Sequence, residues 1–223
     1  LSKIRKIDPE LDEKILLTIS IFCAGTPSTL GTHNVLKAMG VENISDVNSF
    51  RYRGHGWPGK AVAKIKNSAK EYTMEYSEMW GGILSKHGQL RCRLCPDSTG
   101  EFADVACGDP WYMKIRDKEP GQSLVIVRTQ KGADIIQKCR KAKYLNLYSS
   151  IPDHIIKSQV SVHDRRRELW GRLIAFKFFG IPCPEFENMN LFKSWWSIGL
   201  KAKLKSILST VKRIVLRKLY RPE

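Results

Sequence analysis

Ile15 to Phe22 is an almost continuous apolar run, β-branched in places, that ends in Cys23-Ala24-Gly25-Thr26-Pro27-Ser28; the pattern predicts a buried strand running into a turn. From about Ser28 to Met39 the spacing turns helical, with Ser28 or Thr29 as the cap and Gly40 marking the end. Ser49 to Arg53 reads as a strand, Gly54 to Gly59 as a turn-forming loop, and Ala61 to Ile65 with Tyr72 to Tyr76 as a pair of alternating strands in a hairpin excursion. Gly81 to Asp109 is rich in Gly, Cys, Asp and Pro and poor in periodicity, which suits a segment wrapped around something. Leu124 to Val127 then reads as a buried strand, Lys131 to Ala142 as a helix and Tyr144 to Leu147 as a short strand; that order implies a mixed or parallel sheet.

His163 to Phe179 carries Leu169, Trp170, Leu173, Ile174, Phe176 and Phe178 at helical spacing, and Gly180-Ile181-Pro182-Cys183-Pro184 stops it. In the tail, Leu200, Leu204, Ile207, Leu208, Val211, Val215 and Leu219 form an apolar stripe, with Lys201, Lys205, Lys212, Arg213 and Arg217 on other faces and Trp195-Trp196 ahead of them. This is a basic amphipathic helix. Such a helix lies on an anionic membrane with its aromatics as interfacial anchors, docks on an acidic partner, or packs on the protein's own core.

With 223 residues and 42% hydrophobic content the chain can bury one sizeable core. The net charge of +16 attracts anions without choosing among them, but its distribution is informative. Nine Lys or Arg residues lie between Lys193 and Arg221 with no acidic residue among them, so much of the excess belongs to the tail. No run reaches the roughly 18 to 20 apolar residues of a membrane-crossing helix. The chain begins at Leu1 without a secretory pattern and reads as N-terminally truncated and cytoplasmic. Its six cysteines then serve a reducing compartment, as metal ligands, redox groups or core residues.

Cys92-Arg93-Leu94-Cys95 is the one Cys-x-x-Cys pair, a spacing that points two thiolates at a single metal centre from a tight turn. Taken alone it fits an iron–sulfur ligand pair, half of a zinc site or a redox dithiol. The histidines are scattered, and Cys139 and Cys183 read as packed thiols. Arg165-Arg166-Arg167 reads as a solvated helix start or a phosphate contact.

Beyond that pair come Pro96-Asp97, Phe102-Ala103-Asp104-Val105 and Gly108-Asp109; ahead of it stand Phe22 to Ser28, Phe50-Arg51-Tyr52-Arg53 and Gly56-Trp57; after it, Ser123 to Thr129 with Lys131-Gly132. Together these resemble the C-terminal region of the coenzyme F420 hydrogenase/dehydrogenase beta-subunit family, over roughly Leu16 to Ala142. The resemblance implies a flavoprotein with a 4Fe–4S cluster and flavin adenine dinucleotide (FAD), exchanging electrons with an organic acceptor and with a redox partner subunit or ferredoxin-like donor. It places Cys23, Cys92 and Cys95 on cluster ligands, the family's fourth ligand being expected in a Pro-Cys element N-terminal to everything present here. Cys107 stands where the family commonly has a small residue, and is a substitute ligand or a packed thiol. Gly108 would allow close backbone approach to a cofactor. Asp109 would accept from a flavin hydroxyl or ring N–H, unless Asp109-Pro110 is a plain turn, and Arg128 with Thr129 would meet the pyrophosphate or ring carbonyls.

The expected architecture is α/β: one mixed sheet with flanking helices, an irregular Cys/Gly-rich cluster-binding segment and a helical C-terminal extension. Residues 1–150 are expected to form the iron–sulfur and flavin oxidoreductase domain, 151–190 a helical continuation and 191–223 the basic amphipathic tail, peripheral at an anionic membrane or packed on the core. Two other functions fit the composition: a basic, metal-stabilised nucleic-acid-binding module, and a catalytically silent scaffold on a membrane. Against nucleic acid stand the missing second Cys pair and the lack of aromatics interleaved in the basic stretches.

Overall fold

The computed structural model describes residues 7–114, 120–158 and 160–219; the last residues of the basic tail, Arg221 among them, and residues 1–6 lie outside the described residues. Asp8 accepts the amide of Leu11 and Pro9 opens the first helix, α1 (Pro9–Lys14). There follow β1 (Ile19–Ile21), α2 (Thr29–Ala38), β2 (Val47–Arg51), β3 (Ala61–Ile65), β4 (Glu71–Met74), two helical turns over Glu78–Ile83 and Leu84–His87, and α3 (Leu90–Arg93). The remainder is β5 (Val105–Gly108), β6 (Leu124–Val127), α4 (Gln130–Lys141), α5 (Pro152–Ser158), α6 (Val160–Phe178), α7 (Leu191–Trp196) and α8 (Leu200–Leu216).

These elements form two compact units that interleave along the chain: residues 1–24, 94–109 and 124–223 make the first, 25–93 and 110–123 the second. In the first, a mixed sheet has the order β1-β5-β6, with β1 parallel to β5 in the register Ile19 to Val105, and β6 antiparallel. Asp104, just before β5, ties the sheet's ends together. Its carboxylate accepts from the Thr18 amide at 2.8 Å, the Thr18 hydroxyl at 2.7 Å and the Thr129 hydroxyl at 2.7 Å. Thr129 Oγ1 in turn accepts from the Gly132 amide and caps α4.

Helices α6, α7 and α8 pack together through Leu169, Leu173, Phe176, Leu191, Trp195 and Ile214, all buried. Each such side chain contributes about 1.5–3 kcal/mol by leaving water. Where α6 meets α8 the contact is made by small residues. A Cβ on Gly171 would fall 2.2 Å from Ser206 Oγ, so only glycine lets that approach occur. Ser206 Oγ accepts from Trp195 Nε1 at 3.1 Å and donates to Lys203 O at 2.7 Å, which satisfies the buried indole and hydroxyl.

In the second unit β2-β3-β4 form an antiparallel sheet, and α2 lies against it, burying Val35, Leu36, Ala61, Ala63 and Met74 together with Met79 and Leu84. Ser28 caps α2 by accepting from the Gly31 amide.

The α/β class with flanking helices and a helical C-terminal region agrees with the sequence reading, whereas the strands divide between two sheets rather than joining one. Three local expectations give way to tertiary context. Tyr144 to Leu147 carries no strand, because Tyr144 donates its amide to Cys139 O and prolongs the turn that ends α4. The run from Ile15 gives a strand only over Ile19–Ile21, at a sheet edge with Ile19 and Ile21 exposed. Around Gly81 and Gly82 the backbone is helical, anchored by buried Met79 and Leu84 on either side.

Candidate functional site

The three cysteines singled out by spacing and resemblance are free thiols, each half-buried. In the first unit, Cys23 donates its amide to Ser98 O at 2.8 Å, and Cys95 donates from Sγ to Asp97 O at 3.0 Å, so both are anchored to the turn at Asp97-Ser98. Asp97 closes that turn by accepting the amides of Thr99 and Glu101. Two arginines of α6 brace it. Arg165 donates to Ala24 O at 2.8 Å, next to Cys23, and Arg166 pairs with Glu101 at 2.6 Å. The arginine run that reads in sequence as a solvated face therefore holds the loops that carry these thiols.

In the second unit, Cys92 sits on α3 and its sulfur accepts the Thr26 amide at 3.3 Å, while the bare Cα of Gly25 lies against its Cβ. A backbone N–H aimed at the sulfur fixes the direction of this side chain. Cys107, on β5, differs: burial pushes its thiol up, towards the neutral form of a packed side chain. Thiol chemistry fits iron–sulfur ligation, yet among the described residues no three His, Cys, Asp or Glu side chains are gathered as a metal group. In number, the three thiols fall short of a four-thiolate set.

The other site residues expected from sequence lie in the first unit. A Cβ on Gly108 would run into the Phe22 ring at 2.1 Å, so the close approach this glycine permits is that of Phe22. Asp109 follows β5. Arg128 gives its Nε to Gly100 O at 3.2 Å and its Nη2 to Thr99 O at 3.1 Å, leaving Nη1 without a hydrogen bond among the described residues. Thr129 spends its hydroxyl on Asp104 and on the cap of α4. These bonds hold the Asp104 carboxyl at about 2, the Thr18 hydroxyl being the largest cause.

A cluster that the sequence did not single out stands in the second unit. The loop Gly54 to Gly59, closed by the Gly54 amide on Pro58 O, presents Trp57 to Trp111 with ring centroids 5.1 Å apart. Trp111 stacks on Tyr76 at 5.6 Å, and Tyr76 lies parallel to Trp80 at 6.5 Å. The Arg53 guanidinium is 5.6 Å from the Tyr76 ring and 5.8 Å from that of Trp111. Beside them Trp57, Pro110, Tyr112, Met113, Lys114 and Gly121 line a cleft of about 390 Å³. That size lies within the range of pockets that enclose organic rings. Arg51, two residues before Arg53, has an enclosed Nε with no acceptor among the described residues. The only sequence signal was the family motif holding Arg53 and Trp57, since Tyr76, Trp80 and Trp111 join them through the fold.

Residues 1–152 match the family model that describes the C terminus of the beta subunit in coenzyme F420 hydrogenase/dehydrogenase. Among solved structures, the fold is similar to a chain of the F420-reducing NiFe hydrogenase complex from Methanosarcina barkeri, at 17% identity and a TM-score of 0.50, covering 79% of this chain and 57% of that one. The chain thus spans a little over half the length of that relative. No curated protein matches.

Proposed function

The chain belongs to the coenzyme F420 hydrogenase/dehydrogenase beta-subunit family, and we propose that it is part of an oxidoreductase that uses FAD and a 4Fe–4S cluster to act on an organic acceptor. The broad reading, a redox protein related to F420 hydrogenase, rests on the family match. The observation that carries the finer one is the meeting of Arg53 and Trp57 with Tyr76 and Trp111 beside a ring-sized cleft.

When bound, FAD supplies a flat ring that takes up and releases electrons. The chain's own residues suit such a ring: the Trp57 indole offers a stacking face and helps exclude water, while Arg53 and Lys114 hold positive charge where electron density would gather. In the first unit, Arg128 Nη1 remains for a pyrophosphate oxygen, with Thr129 beside it, and Asp109, after Gly108, would accept from a hydroxyl or ring N–H. Cys23, Cys92 and Cys95 are the thiols that would hold the cluster, whose chemistry is one-electron transfer. A redox partner subunit or ferredoxin-like donor completes the reading; in support stands the likeness of the fold to a chain of a hydrogenase complex.

The test is a titration of the full-length protein with FAD, followed by tryptophan and flavin fluorescence. Trp57→Ala and Arg53→Gln are expected to weaken binding about tenfold or more, with the thermal unfolding midpoint kept within the range of surface changes. Unchanged flavin affinity in both variants would remove the cleft from the account.

A further inference from the structure

Helix α8 presents three distinct faces. One carries Ser206, Thr210 and Ile214, at most 1% exposed, and docks against α6. A second carries Leu200, Leu204, Leu208 and Val215, which are 72%, 49%, 62% and 47% exposed. At about 100° per residue these four fall within an arc of about 80°, and Lys201, Lys205 and Lys212, all exposed, occupy the band immediately beside it. The fold is thus served by the face with a serine and a threonine, while the leucine stripe stays exposed among the described residues. Trp195, an expected anchor, is buried on Ser206 and belongs to the core; Trp196 is exposed, with Lys203 Nζ 4.3 Å over its ring.

We propose that the leucine stripe with its flanking lysines is a docking surface for an anionic lipid bilayer, on which α8 lies in the plane of the interface. Charge selects this occupant. From Leu191 to Leu219 the chain holds basic residues and no acidic one, so an anionic headgroup layer meets the lysines while the leucines enter the acyl boundary. A second copy would bring the same lysines face to face on a molecule of net charge +16. No helix of the described residues is long and apolar enough to cross a membrane, so the mode is lying on the surface.

The experiment is co-sedimentation of the full-length protein with vesicles of phosphatidylcholine alone and of phosphatidylcholine with phosphatidylserine, at low and high salt. Wild type is expected to prefer the anionic vesicles about tenfold or more, with binding that falls as salt rises. Leu204→Ser with Leu208→Ser should lose about tenfold or more of that binding with an unchanged melting temperature, because both side chains are exposed. Lys201→Gln and Lys205→Gln should each lose about fivefold at low salt. Equal partition into both vesicle types, or wild-type binding by the leucine double variant, overturns the proposal. So does a wild type that runs as a dimer in size exclusion and becomes a monomer on the leucine changes without losing vesicle binding, since the stripe is then a seam between copies.

Discussion

Asp104 is 3% exposed and spends its carboxylate on Thr18, 86 residues away, and on Thr129, 25 residues away. Those bonds favour the charged form, so the folded pKa, about 2, lies below the ordinary 3.8. The sign follows from that depression. Stability from Asp104 is complete above pH 3.8 and is lost as pH falls from 3.8 towards about 2, amounting to about 1–2 kcal/mol. Urea unfolding across that window should show the loss in wild type and a flatter profile in Asp104→Asn, which also starts less stable; parallel profiles would contradict the assignment. The residue scale is where sequence reading was most uneven. Cys92 and Cys95 announce themselves by spacing, and the cap at Ser28 by residue type. Asp104 entered only inside a motif, because its partners are chosen by strand pairing between β1, β5 and β6.

Among elements, the helices were legible and the strands only in part. The period in Leu169, Leu173 and Phe176 is local, and so is the stop at Gly180, whose φ of 66° ends α6. A strand exists only when a partner ladder exists, which is why Ala61–Ile65 between two neighbours came out as read, while Tyr144 to Leu147 did not form. What no periodicity could disclose is that α8 meets α6 across Gly171, with the leucines turned away. Gly171→Ala is expected to cost about 1–3 kcal/mol in chemical denaturation, since its methyl group would overlap Ser206 Oγ and Trp195 Nε1. Phe178→Ala, at the exposed end of the same helix, should stay within about 0.5 kcal/mol of wild type. Equal effects at the two positions would mean that the α6–α8 contact is looser than this.

At the scale of the molecule, the chain leaves its first unit after Ala24, returns at Leu94, departs again for residues 110–123 and comes back at Leu124. No composition shift marks these crossings, so the interleaving of the two units is not legible along the chain. The family was legible because its motifs are short and local in sequence, even where, as in Phe22 to Ser28 and Cys92 to Cys95, they span a crossing. The central claim, that the molecule is a flavin and iron–sulfur oxidoreductase, meets its most direct test in one assay of the anaerobically purified full-length protein. Iron, acid-labile sulfide and FAD are quantified together, in wild type and in Cys92→Ser. The account predicts FAD in both proteins, with iron and sulfide in wild type and their loss in the variant, because a hydroxyl cannot replace a ligating thiolate. Zinc without sulfide, and no flavin, would contradict it and favour a structural metal in a basic binding module.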